Sequence, residues 1–216
     1  MTISQALMLL GSYLVGSISF GYIVVEIKKG IDIRTKGSKS TGATNVTREL
    51  GKTWGKIVMI LDGLKGFCIS ATAIFLFWNN YWIIGLAILL VDVGHVFPIF
   101  IKFKGGKGVA TFIGALFPLI VFCLLSFTDP WTYIGLAMVI IGWLIIKKIR
   151  KIMSLSSIGL MTLLILYFGG LILFTSFSSH YPIAICVIIT SLFVIFNHRE
   201  NIERLWDRKE PTSDLI

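Results

Sequence analysis

Residues 81–107 read YWIIGLAILLVDVGHVFPIFIKFKGGK, an apolar run from Tyr81 to Ile101 broken only by Asp92 and His95, then a cationic exit at Lys102, Lys104 and Lys107. A bilayer core about 30 Å thick takes roughly 20 apolar residues of helix, so this run is a transmembrane span ending on a glycine-lysine loop. Outward from it the same pattern recurs. Spans are expected at Gln5–Ile27, Trp54–Trp78, Tyr81–Ile101, Val109–Phe127, Trp131–Ile146, Leu155–Phe177 and Tyr181–Phe196. All 20 Lys and Arg residues fall in Lys28–Lys65, Lys102–Lys107, Lys147–Lys151 and Arg199–Lys209. The alternate breaks, Asn79–Asn80, Thr128–Pro130 and Ser178–Pro182, carry neither and are flanked by Trp78, Trp82, Trp131 and Tyr181. Cations stay on the cytoplasmic side and amphipathic aromatics settle at the headgroups. The expected fold is therefore an all-α integral membrane protein, a single membrane-embedded domain over residues 1–216. It has seven transmembrane helices, the N-terminus outside and the C-terminus cytoplasmic.

Composition excludes the soluble classes. At 56% hydrophobic residues and a mean hydropathy of +0.87, the chain carries more apolar surface than a soluble core of this length can hide. The net charge of +9 is loop-bound, which argues against nucleic acid as a partner and leaves membrane lipids. The first apolar run, Ala6 to Val25, has no basic region before it and no small-residue cleavage site after it, so it is expected to be a retained span. Cys68, Cys123 and Cys186 sit in apolar runs without partners at metal spacing and read as packing residues. No metal or cofactor is expected, and the oligomeric state is not legible.

The polar chemistry gathers in the cationic breaks. Gly37-Ser38-Lys39-Ser40-Thr41-Gly42-Ala43-Thr44-Asn45, followed by Arg48, combines backbone freedom, hydroxyls, amides and a guanidinium suited to bidentate phosphate binding. It reads as an anion cradle or as a polar, helix-capping loop. Lys104-Gly105-Gly106-Lys107-Gly108 reads as a phosphate nest at a helix start. It is not a Walker A loop, because Ile101 stands where the first glycine belongs and no Lys-Ser/Thr pair follows. Gly94-His95-Val96-Phe97-Pro98 puts an imidazole and a proline late in the third span, where helix geometry is disturbed and carbonyls are freed. His95 serves either function or helix-to-helix hydrogen bonding, and Asp62 and Lys65, at i,i+3, are expected to neutralise one another. After the last span, His198 and Asn201 share a helical face, while Ile202, Leu205 and Trp206 suit an amphipathic surface helix. His198 and Glu203 approach, without matching, the His-x4-Asp pair of CoA-type glycerolipid acyltransferases.

These segments resemble, in this order, the bacterial acyl-phosphate-dependent glycerol-3-phosphate acyltransferase family, PlsY. The resemblance runs through Gly16-Ser17-Ile18-Ser19-Phe20-Gly21, Gly30-Ile31-Asp32-Ile33-Arg34, Gly37-Ser38, Gly42-Ala43-Thr44-Asn45 and Leu61-Asp62-Gly63-Leu64-Lys65-Gly66. It continues through Gly94–Pro98, Lys104–Thr111, Ser154-Leu155-Ser156-Ser157-Ile158 and His198-Arg199-Glu200-Asn201-Ile202. It implies an enzyme of the bacterial cytoplasmic membrane, its site facing the cytoplasm, that moves a fatty acyl group from acyl phosphate to the 1-hydroxyl of glycerol 3-phosphate. The products would be lysophosphatidic acid and phosphate. By resemblance, Ser38, Arg48 and Lys107 hold phosphate, His198 and Asn201 carry the catalytic site, and Thr44, Asn45, His95, Lys104, Gly105, Gly106, Gly108 and Ser154 complete the substrate-binding set. Two departures stand out: Lys39, Ser40 and Thr41 where the family usually has Gly-Asn and an aliphatic residue, and Arg208 where it has Gly. The alternatives are a paralogue with altered substrate preference and a multi-span transporter of a phosphorylated solute, the latter suggested by Asp62, Lys65, Asp92 and His95 near membrane depth.

Overall fold

The computed structural model describes residues 1–126, 130–150, 152–174 and 180–211, and every regular element among them is helical. By length and composition, four helical stretches can cross a bilayer: Ile3–Lys29, Lys52–Leu76, Tyr81–Ile101 and Met153–Leu173. The pair Tyr181–Phe196 and Arg199–Trp206, bent by 55°, makes a fifth if it is one span, and Val109–Phe122 and Ile134–Ile146 are shorter apolar stretches. The described part of each expected span is largely helical, the first over two helices. Large apolar side chains face outward, among them Ile60, Phe75, Leu144, Leu173 and Leu192, as on a surface solvated by lipid tails. Of the expected outer turns, Asn79–Asn80 is described, whereas 128–129 and 178–179 lie outside the described residues, as does Lys151.

The residues group into two compact units, Met1–Ile120 and, from Val121, the remainder. In the first, α1 (Ile3–Gly16) starts on a capping box in which Thr2 and Gln5 exchange side-chain and backbone hydrogen bonds. The expected first span is broken: α1 stops and α2 (Phe20–Lys29) restarts after Ser17-Ile18-Ser19. The Ser17 hydroxyl donates back to Tyr13 O at 2.8 Å, and the carbonyls of Gly16 and Ile18 receive Lys65 Nζ at 2.9 and 2.8 Å. A break in a span survives only where something replaces the lost backbone bonds, and here a lysine does. Left-handed Gly30 ends α2, with Lys28 and Lys29 in its last turn facing the negative end of the dipole.

Residues 30–51, between the first two expected spans, form a compact segment. A short 3-10 turn at Ile33–Thr35 leads to α3 (Ala43–Leu50), and Ile33 and Val46 join Val25 and Val58 in a small closed core with Trp54 and Leu50 at its edge. Gly51 separates α3 from α4 (Lys52–Leu76), and α5 (Tyr81–Val96) packs on α1 and α4. At the α1–α5 crossing a side chain at Gly16 would strike Val91 O and one at Gly94 would strike Tyr13 O, so the two backbones touch as small residues permit. α6 (Val109–Ser126) begins in this unit, and its Thr111 backbone lies against Gly66 of α4.

In the second unit, α7 (Pro130–Arg150), α8 (Met153–Phe174) and α9 (Tyr181–Phe196) pack in sequence, α7 on α8 and α8 on α9. α10 (Arg199–Trp206) turns off α9 at Asn197-His198.

Candidate active site

In the first unit the two glycine-rich segments meet. Thr41 N–H donates to Gly105 O at 3.3 Å, and Arg34 Nη1 donates to Ile101 O at 2.5 Å. Arg34 also binds Asp32, Nη2 to Oδ2 at 2.7 Å and Nε to Oδ1 at 2.9 Å, and lies over Tyr22. The Arg34 hydrogen bond holds the Asp32 carboxyl below its ordinary value against the opposing effect of burial. Arg34 is therefore spent on holding the fold.

Ser38 is positioned by Asn45. The buried Asn45 side chain accepts Ser38 N–H on Oδ1 at 3.1 Å and donates from Nδ2 to Ser40 O at 2.8 Å, Lys36 O at 3.0 Å and Ile33 O at 3.4 Å. An amide so committed shapes the loop that presents Ser38. Thr44 and Arg48 are exposed on α3. In the departing tripeptide, Lys39 adopts the left-handed conformation at φ 54°, which a glycine would hold without strain. Ser40 Oγ accepts Gly42 N–H at 3.3 Å, and Thr41 is buried.

The second segment folds back over the end of α5. Lys102 and Phe103 are both left-handed, and Phe103, Gly105 and Gly106 donate their N–H groups to the carbonyls of Pro98, Val96 and His95 at 2.9, 3.0 and 3.1 Å. The His95 and Val96 carbonyls at the end of α5 are thus satisfied by the loop itself. The Gly105 and Gly106 amides, expected to form a nest, donate to the end of α5. Lys104 is exposed, Lys107 is half-buried, and Gly108 is left-handed at φ 92°. Beneath the loop, His95 Nδ1 lies 3.1 Å from Thr111 Oγ1 and 3.5 Å from Asp62 Oδ1, and Lys65 Nζ lies 3.2 Å from the same Asp62 oxygen. The expected Asp62–Lys65 neutralisation is present, with His95 added. Asp92 is fully buried, and neither of its oxygens has a hydrogen-bond partner among the described residues.

In the second unit, His198 is buried at the α9–α10 bend, and its Nδ1 donates to Val194 O at 2.8 Å. In a neutral ring this puts the proton on Nδ1 and makes Nε2 the basic nitrogen. Asn201, one turn on, is buried beside it in sequence, and its Nδ2 donates to Glu210 Oε1 at 2.5 Å. Arg204 Nε donates to Glu210 Oε2 at 2.7 Å. Burial pushes the Glu210 carboxyl up, but the hydrogen bonds from Arg204 and Asn201 outweigh it and hold the group below its ordinary value. Nothing in the sequence spacing marked Arg204 or Glu210. The buried Ser154 hydroxyl, near the start of α8, adds to the hydrogen bonding that lowers the Glu210 carboxyl. Ile202 and Trp206 face outward, so α10 has both the buried polar face and the apolar surface face expected of it.

The family model for glycerol-3-phosphate acyltransferase matches residues 6–208. Similar proteins include the glycerol-3-phosphate acyltransferases of Aquifex aeolicus, 36% identical over 203 residues (92% of this chain, 94% of that one), and Bacillus subtilis, 37% identical over 208 residues (95% and 96%). The crystal structure of PlsY (YgiH), an integral membrane glycerol 3-phosphate acyltransferase, in its glycerol 3-phosphate form superposes with a TM-score of 0.76 at 34% identity, covering 97% of this chain and 95% of that one. Its lysophosphatidic acid form gives a TM-score of 0.73 at the same identity and coverage. With the polar segments arranged as described on an all-helical, lipid-facing scaffold, the chain belongs to the glycerol-3-phosphate acyltransferase family of PlsY-type integral membrane proteins.

Proposed function

We propose that the protein transfers a fatty acyl group from acyl phosphate to the 1-hydroxyl of glycerol 3-phosphate, releasing lysophosphatidic acid and phosphate. The observation that supports the reading is the hydrogen bond from Thr41 to Gly105, with that from Arg34 to Ile101 beside it, which joins the loop carrying Ser38 to the loop carrying Lys104 and Lys107. The glycerol 3-phosphate and lysophosphatidic acid forms of the PlsY neighbour name a substrate and a product of this reaction.

Acyl phosphate is a mixed anhydride with a good leaving group, so no acyl-enzyme is needed and positioning with charge stabilisation suffices. Ser38, Arg48 and Lys107 grip phosphate, with Thr44, Lys104, Gly108 and Ser154 as further polar contacts. His198 and Asn201 act at the reacting centre. The glycerol hydroxyl attacks the acyl carbonyl carbon, the bond to the phosphate oxygen breaks, and the proton passes to His198 Nε2 or to a substrate phosphate oxygen. The pH profile of His198→Ala separates the two, because only the first loses a titration with the ring.

Seven crossings follow if the broken first span and the bent α9–α10 pair each count once and the two shorter apolar stretches also cross, with the N-terminus outside and the site facing the cytoplasm of a bacterial inner membrane. Against a transporter stands the mutual pairing of Asp62, Lys65 and His95, while the fourth group, Asp92, lies under Gly108. Purified protein given labelled glycerol 3-phosphate with acyl phosphate or acyl-CoA tests the reading. Lysophosphatidic acid from acyl phosphate supports it, product from acyl-CoA alone reassigns the donor, and uptake into vesicles without product refutes it.

A further inference from the structure

Lys107 stands between two glycines, and each is seated on a polar side chain of α5. A side chain at Gly106 would collide with Nε2 of His95, and one at Gly108 would collide with the Asp92 carboxylate. His95 grips Gly106 twice, by the ring edge and by its own carbonyl, which accepts the Gly106 N–H at 3.1 Å. The far side of the ring is fixed by Thr111, at the start of α6, and by Asp62 of α4. Asp62 is in turn held by Lys65, whose other contacts are the carbonyls at the α1–α2 break. An imidazole engaged on both edges is built into the packing of α4, α5 and α6. An ionisable group at this depth costs more than an apolar packing residue would, so its hydrogen-bonding geometry has a use that packing alone lacks.

We infer that His95 is a positioning residue for acyl transfer, the post on which Gly106 rests and which sets where Lys107 meets phosphate. The inference rests on the proposed phosphate-gripping role of Lys107. Displacement of a gripping group by about 1 Å is enough to cost on the order of a hundredfold in rate or affinity, so the post acts through its rigidity.

Steady-state kinetics on the purified full-length protein test it with Lys107→Ala, Gly106→Ala, His95→Asn and the Gly106→Ala/His95→Asn double variant. Lys107→Ala first identifies the substrate whose KM depends on that ammonium. The asparagine amide stands where Nδ1 does, keeping Thr111 and Asp62 engaged while removing the ring edge under Gly106. Gly106→Ala is expected to raise that same KM about tenfold or more, and His95→Asn to raise it several-fold with kcat held within about twofold. In the double variant the added methyl finds room, so Gly106→Ala then costs less than about twofold. Multiplicative losses in the double variant overturn the inference. So does a fall in kcat with unchanged KM in His95→Asn, a comparison that stands even if Gly106→Ala fails to fold. Near wild-type kinetics for Lys107→Ala instead remove the phosphate reading, a separate failure.

Discussion

At the scale of single residues, the candidate site divides into groups that hold the loop and groups the loop holds out. Asn45 and Arg34 are of the first kind, each saturated by backbone partners or by Asp32. Arg48 is of the second: among the described residues it makes no ion pair, and it is exposed. Arg48→Ala is expected to lower kcat/KM by about ten- to a hundredfold, the loss of one charge-assisted contact worth about 1.5–3 kcal/mol, with thermal stability unchanged. Kinetics together with a melting curve check both halves of that statement. Lys39 makes an opposite prediction. Its left-handed backbone disfavours any side chain with a Cβ, so Lys39→Gly is expected to raise stability by about 0.5–1 kcal/mol, read from thermal unfolding in detergent. The residue types of the site were legible in the sequence, but the division of labour was not. Ser, Asn, Arg and Gly announce anion chemistry and loop architecture with the same atoms, and only distances tell which one each amide serves.

At the scale of elements, the apolar runs fixed the helices closely because lipid-facing helices need continuous hydrophobicity. The misses have physical causes. The α1–α2 break hides within an apolar run since Lys65, distant in sequence, satisfies its carbonyls. α3 is only eight residues between glycines, too short for a clear period, and is held by Val46 in a tertiary core that local sequence does not announce. α10 carries the element-scale prediction. Because the folded Glu210 carboxyl lies below its ordinary value of 4.5, its stabilising contribution is complete above that pH and is lost as pH falls through the folded value. Hydrogen exchange of α10 is therefore expected to quicken as pH drops from about 6 to about 3, after correction for intrinsic exchange, and Glu210→Gln is expected to flatten that dependence. An identical pH response in both proteins would mean that the carboxylate does not secure the α10 end.

At the scale of the whole molecule, charge asymmetry makes the firmest claim the sequence offers, since every cation lies in or beside breaks of one parity. Single cysteines introduced at Lys104, Lys148 and Lys209 in a background lacking Cys68, Cys123 and Cys186 are expected to react with an impermeant maleimide only after the membrane is opened. One at Asn79 is expected to react in intact cells. Labelling of Lys104 and Lys209 positions from opposite sides would refute the proposed topology.

The lysine of α4 also bears on how the chain enters the bilayer. An ammonium alone at the centre of a membrane helix costs roughly 2.5–3.5 kcal/mol on insertion, and here Asp62 on the same helix is joined in compensating it by two carbonyls that belong to an earlier segment. Synthesis from the N-terminus delivers that acceptor pair before the lysine leaves the ribosome. A circularly permuted chain that begins at α4 would present the cation to the translocon with Asp62 beside it but without the two carbonyls, and its insertion, not its finished stability, is where the rearrangement would be felt first.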